Sequence, residues 1–161
     1  MRLALYAPDM PQTLGAAQRL CACLDVPLDV IEPCGFPFDD RRIRRVALDY
    51  GPAADLRRHA DLERFMTHPD RRAGRLILLT TKASGAYCDF AFGAGDTLLL
   101  GRESAGVPDA LHARADARLR IPMRAGMRSL NIVSAGAMVL GEALRQIGGF
   151  PAPATSEDTS Q

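Results

Sequence analysis

Residues 76–80 read Leu-Ile-Leu-Leu-Thr, an unbroken apolar run with none of the polar alternation of a strand that keeps one face in water. Such a run marks a strand buried on both faces, which means a parallel sheet covered by helices on each side. Thr97–Leu100 repeats the pattern. Arg2–Tyr6, Leu28–Ile31 and residues 119–121 read as three further short strands, each closed by a nearby Pro. Between the strands the apolar spacing turns helical. Residues 14–24 have Thr13 as N-cap and Pro27 as a stop. Residues 41–48 follow Asp39 and Asp40, an acidic start and basic body that suit the helix dipole. Residues 129–147 form a long amphipathic helix ended by Gly148 and Gly149. Strands alternating with helices predict an α/β fold with a mainly parallel sheet and helices on both faces.

A chain of 161 residues suits one domain with a single core, here residues 1–150. The remainder, PAPATSEDTSQ, lacks the apolar residues to bury and is expected to be a disordered tail over 151–161. No apolar run approaches the roughly 20 residues of a membrane span, and the N-terminal apolar stretch is closed too early for a signal peptide. The expected location is the cytoplasm, with no membrane partner. The four cysteines show no C-x-x-C spacing and the three histidines stand far from them, so no metal site is expected. A net charge of +1 is not that of a general nucleic-acid binder. Of the 20 basic residues all but Lys82 are arginine, a bias that favours bidentate phosphate contacts and equally follows from GC-rich codons.

In parallel sheets, ligands bind at the C-terminal ends of the strands. The segments after Leu79, Leu100 and Ile121 therefore frame a small-molecule site. Gly101 and Gly106 bracket a turn there, and glycine allows both φ > 0 and close backbone approach to a ligand. The same pair also fits a plain connecting turn, and Glu103 within it reads as a ligand group or as a capping carboxylate. Arg41, Arg42, Arg44 and Arg45 form the densest basic cluster, either a solvated helix face or a backbone-binding surface for nucleic acid. No G-x-G-x-x-G or P-loop follows any predicted strand, which argues against a nucleotide-binding protein of flavodoxin-like type.

Three segments carry a family resemblance. They are Pro11-Gln-Thr-Leu-Gly15-Ala-Ala-Gln-Arg19; Gly101-Arg-Glu103-Ser-Ala-Gly106-Val-Pro108; and Ile121-Pro122-Met123 with Arg128-Ser129-Leu130-Asn131, continuing into Gly141-Glu142-Ala143-Leu144. In order and spacing they resemble the three motifs of the SPOUT-class RNA 2′-O-methyltransferases. Ile31-Glu-Pro-Cys-Gly35-Phe36, the 39–45 acidic–basic run and Thr80-Thr81-Lys82 narrow the likeness to the small tRNA (cytidine/uridine) wobble enzymes, the TrmL type. Thr13 stands where the first motif usually has Asn, and Val133 and Ser134 replace a Ser-Asn pair in the third.

The resemblance implies a trefoil-knotted sheet, a homodimer, S-adenosylmethionine as methyl donor and the anticodon stem-loop of tRNA as partner. It implies cofactor contacts at Leu79, Gly101, Glu103, Ile121, Met123, Ser129 and Leu130. Arg19, Ser129 and Asn131 fall at the catalytic positions, with Arg19 orienting the ribose 2′-hydroxyl and its phosphate. Arg41, Arg42, Arg45, Lys82 and Arg128 are the RNA-contact candidates. The alternatives are a catalytically silent RNA-binding dimer with the same fold, motivated by Thr13, and a methyltransferase acting on another RNA.

Overall fold

The computed structural model describes residues 1–38 and 55–152. The predicted 41–48 helix, the Arg41, Arg42 and Arg45 cluster and residues 153–161 of the predicted tail lie outside the described residues. The elements run β1 (Arg2–Tyr6), α1 (Pro11–Leu24), β2 (Leu28–Ile31), β3 (Leu56–His59), α2 (Leu62–Thr67), α3 (Pro69–Arg72), β4 (Leu76–Leu79), β5 (Gly85–Ala86), β6 (Thr97–Leu100), α4 (Asp109–Arg114), β7 (Ala117–Arg120) and α5 (Ile132–Ile147). The strands form one sheet of order β3-β2-β1-β6-β4-β7-β5, and every adjacent pair is parallel.

Each apolar strand feeds two cores, as the unbroken runs demand. Leu3 and Leu5 of β1, Ile77 of β4, and Leu98 and Leu100 of β6 face α1 and α5, meeting Leu14, Ala17, Val139, Leu140 and Leu144. Ala4, Leu76, Leu78 and Leu99 point to the opposite face, where Phe65 of α2 and Leu111 of α4 cover them. Burying one such side chain contributes about 1.5–3 kcal/mol. Coverage of both faces is what holds the parallel arrangement.

The second face also carries a buried carboxylate. Asp29 of β2 is 2% exposed. It accepts from Arg2 Nε at 2.7 Å and Nη2 at 3.2 Å, and pairs with His59 Nε2 at 2.7 Å. A carboxylate so deeply buried is tolerable only when fully paired, and this pairing fastens β1, β2 and β3 together.

Several predicted boundaries shift. The first helix starts at Pro11 with Met10 at its N-cap and no side-chain cap, so Thr13 is a buried residue of the first turn and not a cap. Proline at the first helical position needs no donor and sets the helical φ, which moves the start ahead of Thr13. The last helix starts at Ile132 rather than 129, because the Asn131 side chain accepts from the Val133 and Ser134 amides and terminates the helix there. The strand predicted over 119–121 occupies Ala117–Arg120, leaving Ile121 beyond the sheet edge. β3 and β5 were not expected: β3 reads Leu-Arg-Arg-His, polar enough to hide the strand, and β5 has two residues. Pro151 and Ala152 lie outside any helix or strand and are exposed.

Phe65 is fully buried and alone supplies the largest side chain over the second face. Phe65→Ala is expected to lower stability by about 3–5 kcal/mol, read from urea unfolding followed by circular dichroism. A loss below about 1 kcal/mol would show that α2 does not carry that face.

Candidate active site

The C-terminal ends of β4, β6 and β7 open into a cleft of about 480 Å³, inside the roughly 300–1,000 Å³ typical of small-molecule sites. Register explains the position: Leu79 of β4 pairs with Leu100 of β6 and with Leu119 of β7, so three strands end side by side. Their following turns make the walls. Leu79, Thr80 and Thr81 come from the first, residues 100–103 with Gly106 from the second, and Ile121 and Met123 from the third. The entry to α5 closes the cleft with Ser129, Leu130, Asn131 and Ile132.

All the residues predicted to hold a cofactor line this one cleft: Leu79, Gly101, Glu103, Ile121, Met123, Ser129 and Leu130. The chain thus brings together residues spread from Leu79 to Leu130. Met10, Arg102 and Val107 also line it and were missed. Nothing in their residue types sets Met10 and Val107 apart from ordinary core, whereas Arg102 lay inside the singled-out turn.

The turn after β6 is tightly closed. Arg102 N–H donates to Gly106 O at 2.8 Å and Gly106 N–H to Arg102 O at 2.9 Å. Gly106 has φ +65°, the left-handed region that glycine enters freely. A Cβ on Gly101 would lie 2.6 Å from the Gly106 carbonyl carbon, so only glycine lets the two backbones meet. Asp9, between β1 and α1, is bound to this turn. Its carboxylate accepts from Arg102 Nε and Nη2 at 3.0 and 2.6 Å, and from the Ser104 amide and hydroxyl at 2.9 and 2.7 Å. The Ser104 hydroxyl above all, then the Arg102 guanidinium, hold the Asp9 carboxyl down at about 2. The carboxylate therefore stays ionised at any working pH, and its stabilising contribution is lost only as pH falls below about 4 toward 2.

The predicted catalytic residues separate. Ser129 and Asn131 are on the cleft wall, where Asn131 Oδ1 caps α5 at 3.0 and 3.1 Å from the Val133 and Ser134 nitrogens. Arg19 is exposed on α1 and is not among the cleft-lining residues. Met10 lines the cleft at the start of that helix, and Arg19 lies nine residues on, ~13 Å along the axis. Lys82 and Arg128 are exposed, next to the lining residues Thr81 and Ser129 but not in the wall themselves. Among the described residues no cluster of three His, Cys, Asp or Glu is arranged to hold a metal ion, and no helix is long and apolar enough to cross a membrane.

Comparison with known proteins agrees with this geometry. The chain is 56% identical over 146 residues to a tRNA (cytidine(34)-2′-O)-methyltransferase of Beijerinckia indica, covering 91% of each. It is 39% identical over 152 residues to the Escherichia coli protein of the same name, covering 92% of this chain and 94% of that one. A solved structure described as giving "structural insights into the 2-OH methylation of C/U34 on tRNA" superposes with a TM-score of 0.85 at 37% identity, covering 92% of this chain and 96% of the other. The SpoU methyltransferase AviRb of Streptomyces viridochromogenes, solved with AdoMet, gives a TM-score of 0.80 at 25% identity over 91% of this chain and 60% of that one. The model of the SpoU rRNA Methylase family matches residues 1–141. That stretch includes every residue lining the cleft, and this chain belongs to the SpoU rRNA methylase family.

Proposed function

We propose that this protein transfers a methyl group from S-adenosylmethionine to the ribose 2′-oxygen of the wobble pyrimidine, nucleotide 34, of a tRNA. The observation that carries the reading is the convergence of three distant segments on a single cleft, in a chain 56% identical to a tRNA (cytidine(34)-2′-O)-methyltransferase.

The cleft suits the methyl donor. Leu79, Ile121, Met123 and Leu130 offer apolar walls to a planar base. Glu103, with a carboxylate oxygen buried and unpartnered among the described residues, offers an acceptor beside them. The Gly101–Gly106 contact keeps that wall free of side chains, and no atom stands within 4 Å of a Cβ built on Gly106. When bound, S-adenosylmethionine supplies a methyl group on a positively charged sulfur. The chain's own contribution is to hold the donor, exclude water with the apolar walls, and align the incoming hydroxyl; alignment alone is worth up to about 7–11 kcal/mol. Ser129 and Asn131, on the wall where α5 begins, orient the ribose.

Arg19 lies outside the cleft wall, ~13 Å along α1 from Met10, so its role as a positioning residue for the ribose and its phosphate is assigned across a homodimer. Exposed Met10, Leu130, Met138 and Phe150, each at least 43% accessible, support an apolar contact between protomers. Arg41, Arg42, Arg45, Lys82 and Arg128 grip the anticodon stem-loop backbone. The protein works in the cytoplasm on this reading.

Incubation with labelled S-adenosylmethionine and tRNA from a strain lacking the protein is expected to give a 2′-O-methylated pyrimidine at position 34, identified by mass spectrometry. Absence of transfer despite donor binding would favour the silent RNA-binding dimer. Arg41→Ala/Arg42→Ala is expected to weaken tRNA binding and lower the salt slope by about 1 per phosphate contact removed; an unchanged slope removes these residues from the interface. Gly101→Ala forces the turn open and is expected to abolish donor binding, while Arg19→Ala is expected to abolish transfer and leave donor binding intact. If Arg19 acts across the dimer, reassorting the two inactive variants restores about a quarter of wild-type activity. No recovery would confine Arg19 to its own chain.

A further inference from the structure

Asp9 belongs to none of the residues that the motifs single out for chemistry, yet five hydrogen bonds converge on it among the described residues. Its carboxylate takes four, from Arg102 and Ser104, both in the turn after β6. Its backbone N–H gives a fifth, to Glu103 Oε2 at 2.9 Å. Glu103 Oε1 is buried and has no partner among the described residues, so the Asp9 amide is what orients that carboxylate on the cleft wall. One residue thus holds three consecutive residues of the turn through both its side chain and its backbone.

Asp9 is itself held from the other side. Gly35 N–H donates to Pro8 O at 2.9 Å, and a Cβ on Gly35 would stand 2.9 Å from Asp9 O and 3.0 Å from its Cα. The chain reaches Asp9 through Ala7, buried at φ +46°, a conformation rare for a residue with a Cβ. Strain of this kind persists only where surrounding contacts enforce it. Here Ala7 N–H donates to Ile31 O at 2.8 Å, tying the bend to β2. Asp9 is thereby fixed to the β1–β2 side of the sheet while it grips the turn of β6.

We infer that Asp9 is the positioning residue of the methyl-donor site, fixing the 101–106 turn and the Glu103 carboxylate in their binding geometry before the donor arrives. Charge-assisted bonds to a carboxylate are stronger and more directional than neutral ones, and a binding group placed by such a supporting shell loses less freedom on association. The inference rests on the proposed function of the cleft, deepening it to a residue that touches neither donor nor RNA.

The test uses titration calorimetry with S-adenosylhomocysteine and amide hydrogen exchange on the full-length, ligand-free protein. Asp9→Asn keeps size and removes the charge; it is expected to raise the dissociation constant about tenfold or more. The Arg102 and Gly106 amides, reciprocally bonded across the turn, are expected to exchange faster while those of β1 and β6 keep their protection. Asp9→Glu restores the charge and is expected to recover most of the affinity. Should Asp9→Asn not fold, Arg102→Gln removes the same ion pair from the exposed side and is expected to act in the same direction. Wild-type affinity in either folded variant, or unchanged exchange at 102 and 106, overturns the inference. So does weakened binding that Asp9→Glu does not relieve. Failure of the wild-type protein to bind S-adenosylhomocysteine overturns instead the function proposed for the cleft, a result read before any variant is made.

Discussion

Everything in this structure depends on apolar strands having no face to give to water. Leu76, Ile77, Leu78, Leu98, Leu99 and Leu100 are each no more than 1% exposed, though neighbouring side chains along a strand point to opposite faces. Helices must then cover the sheet twice, α1 and α5 on one side, α2 and α4 on the other. With every pairing parallel, all strands deliver their following loops to one edge. The cleft is the consequence: three adjacent strands end within one residue of the same level, and their turns converge around the space beyond.

The strand order carries this further. β6 enters between β1 and β4, and β7 between β4 and β5, so the last strands of the chain are set inside those made earlier. That arrangement puts the Gly101–Gly106 turn between the end of β1 and the end of β4. The Asp9 node is a product of the same adjacency, because β1 pairs with β6 along Arg2–Leu5 and both chains leave the sheet together. A trefoil knot is what the family resemblance implies and is not read from strand order, since knots are otherwise almost absent from protein folds.

Legibility from sequence followed burial. β1, β2 and β6 were readable to the residue because apolar runs ended by Pro or Gly have few alternative readings. β3 was not, since Arg57 and Arg58 occupy half of it and bind Asp70 and Glu32 rather than a core. The cleft wall was legible because the resemblance fixed Leu79, Gly101, Glu103, Ile121, Met123, Ser129 and Leu130, and the fold brings all of them together. Arg19 lies outside the wall because it falls nine residues beyond Met10 along α1, a separation in space that the motif's order and spacing do not carry. In the sequence Asp9 reads only as helping to close the N-terminal apolar stretch: an Asp between two prolines signals a turn, and only the tertiary structure reveals that it binds a loop more than ninety residues away.

On the proposed function, a single cleft walled by the ends of β4, β6 and β7 and the start of α5 receives the methyl donor. A crystal structure of the protein with S-adenosylhomocysteine tests it most directly. The ligand is expected in contact with Leu79, the 101–106 turn, Ile121 and Leu130 at once. A ligand bound elsewhere, or touching only one of these segments, would contradict it.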